Sequence, residues 1–277
     1  MSMELLSTAV DTARKAGAIL MRSFEKLSVG DADLKGLNDY VTEVDRASER
    51  AIIGLIRGRY PDHAVLAEES GEHAAAGAVR WIVDPLDGTT NYIHGFPVFA
   101  VSIAAEREGS VVAGAVLDPV RDELFTAARG AGAELNGRPM RVTSTAELAR
   151  SLVLTGFPFK AQAYLEDFIT VFRELLPATS GLRRCGSAAF DLAHTACGRA
   201  DGFWEFGLSP WDVAAGALLI EEAGGRVTDI ELGDRHIRTG NVLASNGLIH
   251  EALHEIITRH FPPGHFLAKA KSLEDKV

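Results

Sequence analysis

Five acidic side chains, Asp45, Glu68, Asp84, Asp87 and Asp212, stand at the edges of elements that the sequence predicts. Asp45 closes Val41-Thr42-Glu43-Val44-Asp45, and Glu68 follows the apolar run Ala64 to Ala67. Asp84 and Asp87 frame Asp84-Pro85-Leu86-Asp87, and Asp212 follows Trp211. Carboxylates brought into one pocket repel each other, and their pKa values rise unless divalent cations sit among them. An oxygen-only ligand set, without His or Cys, favours magnesium over zinc. Singly, each residue has a commoner role: Asp45 as a capping partner, Asp212 as a first-turn acid on a helix dipole, Glu68 as a solvated loop charge.

The elements that would position them begin with Trp81 to Val83, an apolar, β-prone run that reads as a buried strand. Pro85 keeps Asp84 out of helical geometry, so the strand is expected to end there. Asp84-Pro85-Leu86-Asp87 fits a type I turn, which places Asp87 as the N-cap of a helix opening at Gly88-Thr89-Thr90. Carboxylates hold a hard cation and a helix start holds an anion, so the pair suits a metal-bound phosphate. Alone, Asp-Pro and Asp-Gly are more often turns than sites. An EF-hand is excluded, because the acidic alternation before a Gly is absent.

The bulk properties leave room for that chemistry. The 277 residues are 47% hydrophobic, enough for one large domain or two lobes. Net charge is −10, with a mean hydropathy of +0.06 and a pI near 5.4. That balance argues against non-specific binding to nucleic acid or anionic membrane, while a bound cation would still admit small anionic substrates. Two cysteines, Cys185 and Cys197, without a CxxC pair fit a reducing compartment and speak against a thiolate zinc site. The N-terminal run is broken by Asp11, Arg14 and Lys15, and no uncharged stretch reaches transmembrane length. A soluble cytoplasmic protein is expected.

In chain order, Met3 to Lys26 is helical by period, and Ser28 to Asp39 reads as a loop carrying Lys35. Thr42 to Asp45 resembles a capping box before a helix to Arg59, which Tyr60-Pro61 ends. Phe99 to Glu106, Ser110 to Leu117 and Glu123 to Ala128 read as an antiparallel meander. Arg129-Gly130-Ala131-Gly132 imitates a dinucleotide fingerprint, but Leu135 stands where the last Gly belongs, so a hairpin is expected. After Leu152, strands alternate with helices: Ala161 to Leu176 closed by Pro177, Ser187 to Gly198 capped by Ser187, Trp211 to Ala223 ended by Gly224-Gly225, and Leu248 to His260. The expected division is an N-terminal α+β lobe over 1–145, a C-terminal α/β lobe over 146–262 and a loose tail over 263–277.

Taken together, the acidic positions and their settings resemble the inositol monophosphatase family of lithium-sensitive, magnesium-dependent phosphatases. The likeness is carried by Val41 to Asp45, Ala67-Glu68-Glu69-Ser70, Trp81 to Asn91, Gly186-Ser187-Ala188-Ala189 and Glu205 through Trp211-Asp212, in order from the first helix to about Ser245. It implies an αβαβα sandwich like that of fructose-1,6-bisphosphatase, with the site between the lobes, and a homodimer. It implies that Glu68, Asp84 and the Leu86 carbonyl hold a first magnesium, that Asp84, Asp87 and Asp212 hold a second, and that a weaker third leans on Glu68. Two such ions about 3.5–4 Å apart would stabilise the entering and leaving oxygens of an in-line displacement by a metal-activated water.

The resemblance further implies that Thr89, helped by Asp45, orients or deprotonates the water, and that Gly88 and Thr89 N–H groups bind phosphate. Glu205, Asp87 and the Gly186-Ser187-Ala188 backbone would meet the alcohol, with Asp212 at its edge and Arg184 as an extra contact. Lys35 lies near a metal-site lysine of the family, and His94 is assigned to the rim. The expected substrate is myo-inositol monophosphate. Histidinol phosphate, fructose 1,6-bisphosphate, NADP(H) and a 3′-phosphoadenosine nucleotide are the alternatives, Gly186-Ser187 favouring inositol where histidinol-phosphate members carry Gly-Asp. The competing class is a regulatory binding protein that keeps the fold. The partners expected are small phosphorylated polyols, with neither nucleic acid nor membrane.

Overall fold

The computed structural model describes residues 2–36, 39–157 and 165–261. It opens with α1 (Ser2–Ser23), a hairpin of β1 (Asp33–Gly36) and β2 (Asp39–Val41), and α2 (Glu43–Arg59). Strands β3 (Ala64–Ala67), β4 (Gly71–His73) and β5 (Val79–Asp87) lead into the short α3 (Thr89–Ile93). The meander is β6 (Ala100–Arg107), β7 (Ser110–Asp118), β8 (Glu123–Ala128), β9 (Gly132–Leu135) and β10 (Arg138–Pro139). Then come β11 (Leu152–Thr155), α4 (Leu165–Ala178), β12 (Gly181–Arg183), α5 (Ala188–Ala196), β13 (Gly202–Glu205) and α6 (Pro210–Glu222). Strands β14 (Arg226–Thr228) and β15 (Val242–Ser245) flank α7 (His236–Thr239), and α8 (His250–Thr258) is last.

An eight-stranded sheet runs β10-β9-β8-β7-β6-β5-β3-β4, antiparallel except where β3 pairs with β5. A five-stranded sheet runs β12-β11-β13-β15-β14, parallel on its first three strands. Side chains alternate between faces along a strand, and the cores follow that rule. Val101, Ile103 and Ala105 of β6 pack with α1 and α2, while Ala100 and Ala104 face α5 and α6. Phe203 of β13 faces α5 and α6 from the other side, while Trp204 faces Phe168 of α4 and Leu253 of α8. The layers are therefore helix, sheet, helix, sheet, helix, as the αβαβα expectation requires.

Helix α6 lies in the middle layer and is buried on every side from Val213 to Ile220, so it shows no polar face. Its fit depends on glycine: a Cβ at Gly216 would stand 2.5 Å from Leu192 Cβ, and one at Gly114 would stand 3.1 Å from Ala215 Cα. We expect Gly216→Val to cost about 1–3 kcal/mol through overpacking, read as a lower urea midpoint with an unchanged slope.

Several expectations from sequence are corrected. Strand β5 does not stop at Asp84; it continues to Asp87 with an irregularity, because Asp84 pairs with Ser102 but Asp87 with Ala100. Three residues are thus spanned against two, which is a β-bulge, and Pro85, with no N–H to give, sits in it. In a regular strand Asp84 and Asp87 would face opposite ways; the extra residue turns both to one side. Asp87 is not the cap of α3: Gly88 takes that place at φ 97°, a left-handed conformation that favours glycine. The stretch read as a loop holds a one-turn 3₁₀ helix at Val29–Asp31 and the β1–β2 hairpin. Pro177 lies inside α4, one residue before its end, where only one turn of hydrogen bonding is disturbed. The side chain of Lys35, the first residues of the expected helix at 161–164 and the tail at 263–277 lie outside the described residues.

Candidate active site

Four segments carry the acids: one face of α2 bears Asp45 and holds both the β5 bulge and the Glu68 loop, while Asp212 stands in the first turn of α6. Thr42 caps α2, and its N–H and hydroxyl donate to Asp45 Oδ2 at 2.9 and 2.5 Å. Ser48 donates to the Pro85 carbonyl at 3.1 Å, fixing the bulge. The buried Glu49 accepts from the Glu69 N–H at 2.8 Å, fixing the loop that bears Glu68. Each of the three aspartates is then gripped through one oxygen. Leu86 N–H donates to Asp84 Oδ1 at 2.9 Å, and Ser209 N–H to Asp212 Oδ2 at 2.7 Å. Asp87 Oδ2 accepts from Ser187 Oγ and Ala189 N–H, both at 2.7 Å, reaching across from the eight-stranded sheet to α5.

A cavity of about 500 Å³ opens over these groups. Its wall contains Glu68, Asp84, Leu86, Asp87, Gly88, Thr89, Arg184, Gly186, Ser187, Ala188, Glu205 and Asp212, so twelve of the thirteen residues named from sequence share one space. The thirteenth, Asp45, stands behind Thr89, whose hydroxyl lies 3.0 Å from Asp45 Oδ1 and 3.1 Å from the Leu86 carbonyl. His94 lies on the wall as well, with Nδ1 2.8 Å from the Thr90 carbonyl. Arg184 stacks over the Phe157 ring, 5.1 Å from its centre.

The fit to a cation can be judged on the acids alone. Ligand oxygens of Asp84, Asp87 and Asp212 all lie within 4.8 Å of one another. Burial holds the Asp84 carboxyl well above the usual range, and the charges of Glu68, Asp87 and Asp212 push the same way. Asp45 is also raised, by burial, against the hydrogen bonds of Thr42 and Thr89. Glu205 is raised well above its usual value by burial and then by the charge of Asp191. Such mutual repulsion is what a divalent ion relieves. A second trio, Asp118, Glu123 and His194, is as close-set but is answered by arginines. Arg121 meets Asp118 at 2.8 Å, Arg199 meets Glu123 at 2.5 Å, and burial with Arg199 pushes His194 down to about 4. That knot carries its own neutralising arginines.

Some of the site was not foreseen. Tyr40, Phe157, Phe206 and Leu208 also form the wall. Gly156 lies so close to the Glu205 carboxyl that a Cβ there would fall 2.0 Å from it. Asp191 is buried behind the wall with Oδ1 unpaired among the described residues. It lies four residues after Ser187 on α5, the spacing that puts both on one helix face, and that spacing was the available signal.

The sequence profile described as the inositol monophosphatase family matches residues 1–262. A Pseudomonas aeruginosa protein named Nus factor SuhB is 48% identical over 264 residues, covering 94% of this chain and 97% of its own. The crystal structure of extragenic suppressor protein SuhB from Bartonella henselae superposes with a TM-score of 0.88 at 42% identity, over 94% of this chain and 99% of that one. The inositol monophosphatase of Anabaena gives 0.84 at 43% identity, over 93% and 96%. Among the described residues, no helix is long and apolar enough to cross a membrane.

Proposed function

The chain belongs to the inositol monophosphatase family, and from that premise we propose that it is a magnesium-dependent phosphomonoesterase acting on myo-inositol monophosphate. The observation that carries this reading is the meeting of Asp84, Asp87 and Asp212 within 4.8 Å in a cavity that also holds the Thr89 hydroxyl. Glu68, Asp84, the Leu86 carbonyl, Asp87 and Asp212 would hold two to three ions, which supply Lewis acidity and offset the charge of substrate and acids when bound. Thr89, bonded to the buried Asp45, orients a water and passes its proton toward Asp45. Gly88 and Thr89 N–H groups, at the helix start, receive phosphate oxygens. The Gly186-Ser187-Ala188 backbone, Glu205 and Asp87 take the hydroxyls of the alcohol, and Arg184 closes the mouth.

The test is a panel of phosphomonoesters assayed with magnesium. We expect myo-inositol monophosphate to be turned over fastest and millimolar lithium to inhibit. Histidinol phosphate, fructose 1,6-bisphosphate, NADP(H) or a 3′-phosphoadenosine nucleotide turned over tenfold faster would sink the substrate assignment.

A second role is favoured by one observation: the relatives at 48% identity bear the name Nus factor. The exclusion of nucleic-acid-linked work, drawn from charge, does not reach that far. A net charge of −10 opposes direct grip on a phosphate backbone, so such a role would run through protein contacts. The two roles part on whether a hydrolysis-dead variant still restores growth to cells lacking the chain; restoration supports the second.

A further inference from the structure

The two ends of the proposed substrate are held by different parts of the fold, and one side chain joins them. Gly88 and Thr89, the phosphate end, precede Asn91 on α3 below the eight-stranded sheet. Gly186 to Ala188, the alcohol end, lead into α5 beside the five-stranded sheet. The Asn91 carboxamide donates to the Val98 carbonyl at 2.7 Å and to the Cys185 carbonyl at 2.9 Å. Its two hydrogens are thereby spent on one acceptor from each side.

The glycines on either side are cut to this fit. Gly186, at φ +95°, would place a Cβ 2.9 Å from Asn91 Nδ2, so only bare backbone seats against the carboxamide. A Cβ on Gly88 would stand 3.3 Å from the Gly186 carbonyl oxygen and 3.1 Å from that of Val98. The two backbones therefore pass in contact, with Asn91 as the peg. Asn91 is absent from the cavity wall, so it acts through what it holds.

We propose that Asn91 is a positioning residue that fixes the separation between the phosphate end and the alcohol cradle, and so sets discrimination among alcohols. The proposal rests on the phosphomonoesterase reading. Losing the donor leaves the Cys185 carbonyl unanswered and lets Gly186 to Ala188 drift from Gly88, while Asp84 and Asp212, held by the Leu86 and Ser209 N–H groups, stay in place. A drift of about 1 Å is enough to misplace a bound group.

The experiment compares Asn91→Ala and Asn91→Asp with the parent chain by two readouts. The first is hydrogen exchange of backbone amides in 186–189 in the metal-free protein, where we expect faster exchange confined to that segment. The second is the kcat/KM ratio for myo-inositol monophosphate over methyl phosphate, expected to fall by about tenfold, mainly through KM. Unaltered exchange in 186–189, or equal losses on both substrates, overturns the proposal. If the parent turns over neither phosphate, the phosphatase reading fails, and the exchange result alone decides whether Asn91 holds the cradle.

Discussion

Asp87→Asn is expected to lower phosphomonoester turnover by roughly a hundredfold to a thousandfold, the scale on which loss of one preorganised charge-stabilising group is felt, while leaving the chain folded. Asp87 occupies a double position. It is one of three acids whose oxygens converge within 4.8 Å, and it accepts from Ser187 Oγ and Ala189 N–H. An amide oxygen can keep accepting those hydrogen bonds but brings no charge to a cation. Stability should therefore change by about 1 kcal/mol, seen as a small shift in urea midpoint, with kcat carrying the loss. Unchanged turnover in Asp87→Asn would remove Asp87 from the metal set.

The second large effect is on stability and has the opposite sign to most buried substitutions. Asp84→Asn should make the metal-free protein more stable at neutral pH and abolish its stabilisation by magnesium. Burial, with Glu68, Asp87 and Asp212 alongside, raises the Asp84 carboxyl. A carboxyl raised on folding binds more protons folded than unfolded. Its contribution is therefore best at acid pH and is lost as pH climbs from about 4, the unfolded value, through the folded one. Asparagine cannot ionise, so variant and parent should match below about pH 4 and separate above it. One kcal/mol of relief would show as a Tm gain of roughly 2–4 °C in a chain of about this size. Magnesium at a hundred times its Kd should add about 2.7 kcal/mol to the parent and nothing comparable to the variant. A metal-free variant less stable than the parent at pH 8 would mean that the acids are not in conflict.

Much of this was legible from sequence because it is local. The Asp84 to Thr90 stretch, Trp211-Asp212 and the Thr42–Asp45 box are read from neighbouring residues, and Ser187 marks the start of α5 in the same way. The bulge was not legible. It exists only in the pairing of β5 with β6, and Asp-Pro-Leu-Asp alone scores as a turn. Ser48 and Glu49 were passed over for a related reason: on α2 they look like ordinary polar positions, and only the fold brings the Pro85 carbonyl and the Glu69 N–H to them. Phe157 and Leu208 enter the wall from segments without periodicity, where apolar residues carry no signal of direction.

The grip of Ser187 and Ala189 on Asp87 has a thermodynamic corollary. A carboxylate shared between an ion and a hydrogen-bonded seam obeys reciprocity: whatever factor the ion adds to closure of the seam, closure adds to affinity for the ion. Any protein that docked across α5 and worked the seam loose would have to weaken magnesium binding by that same factor, and saturating magnesium would resist it equally. A docking event and a metal titration would thus report on each other without touching at any atom.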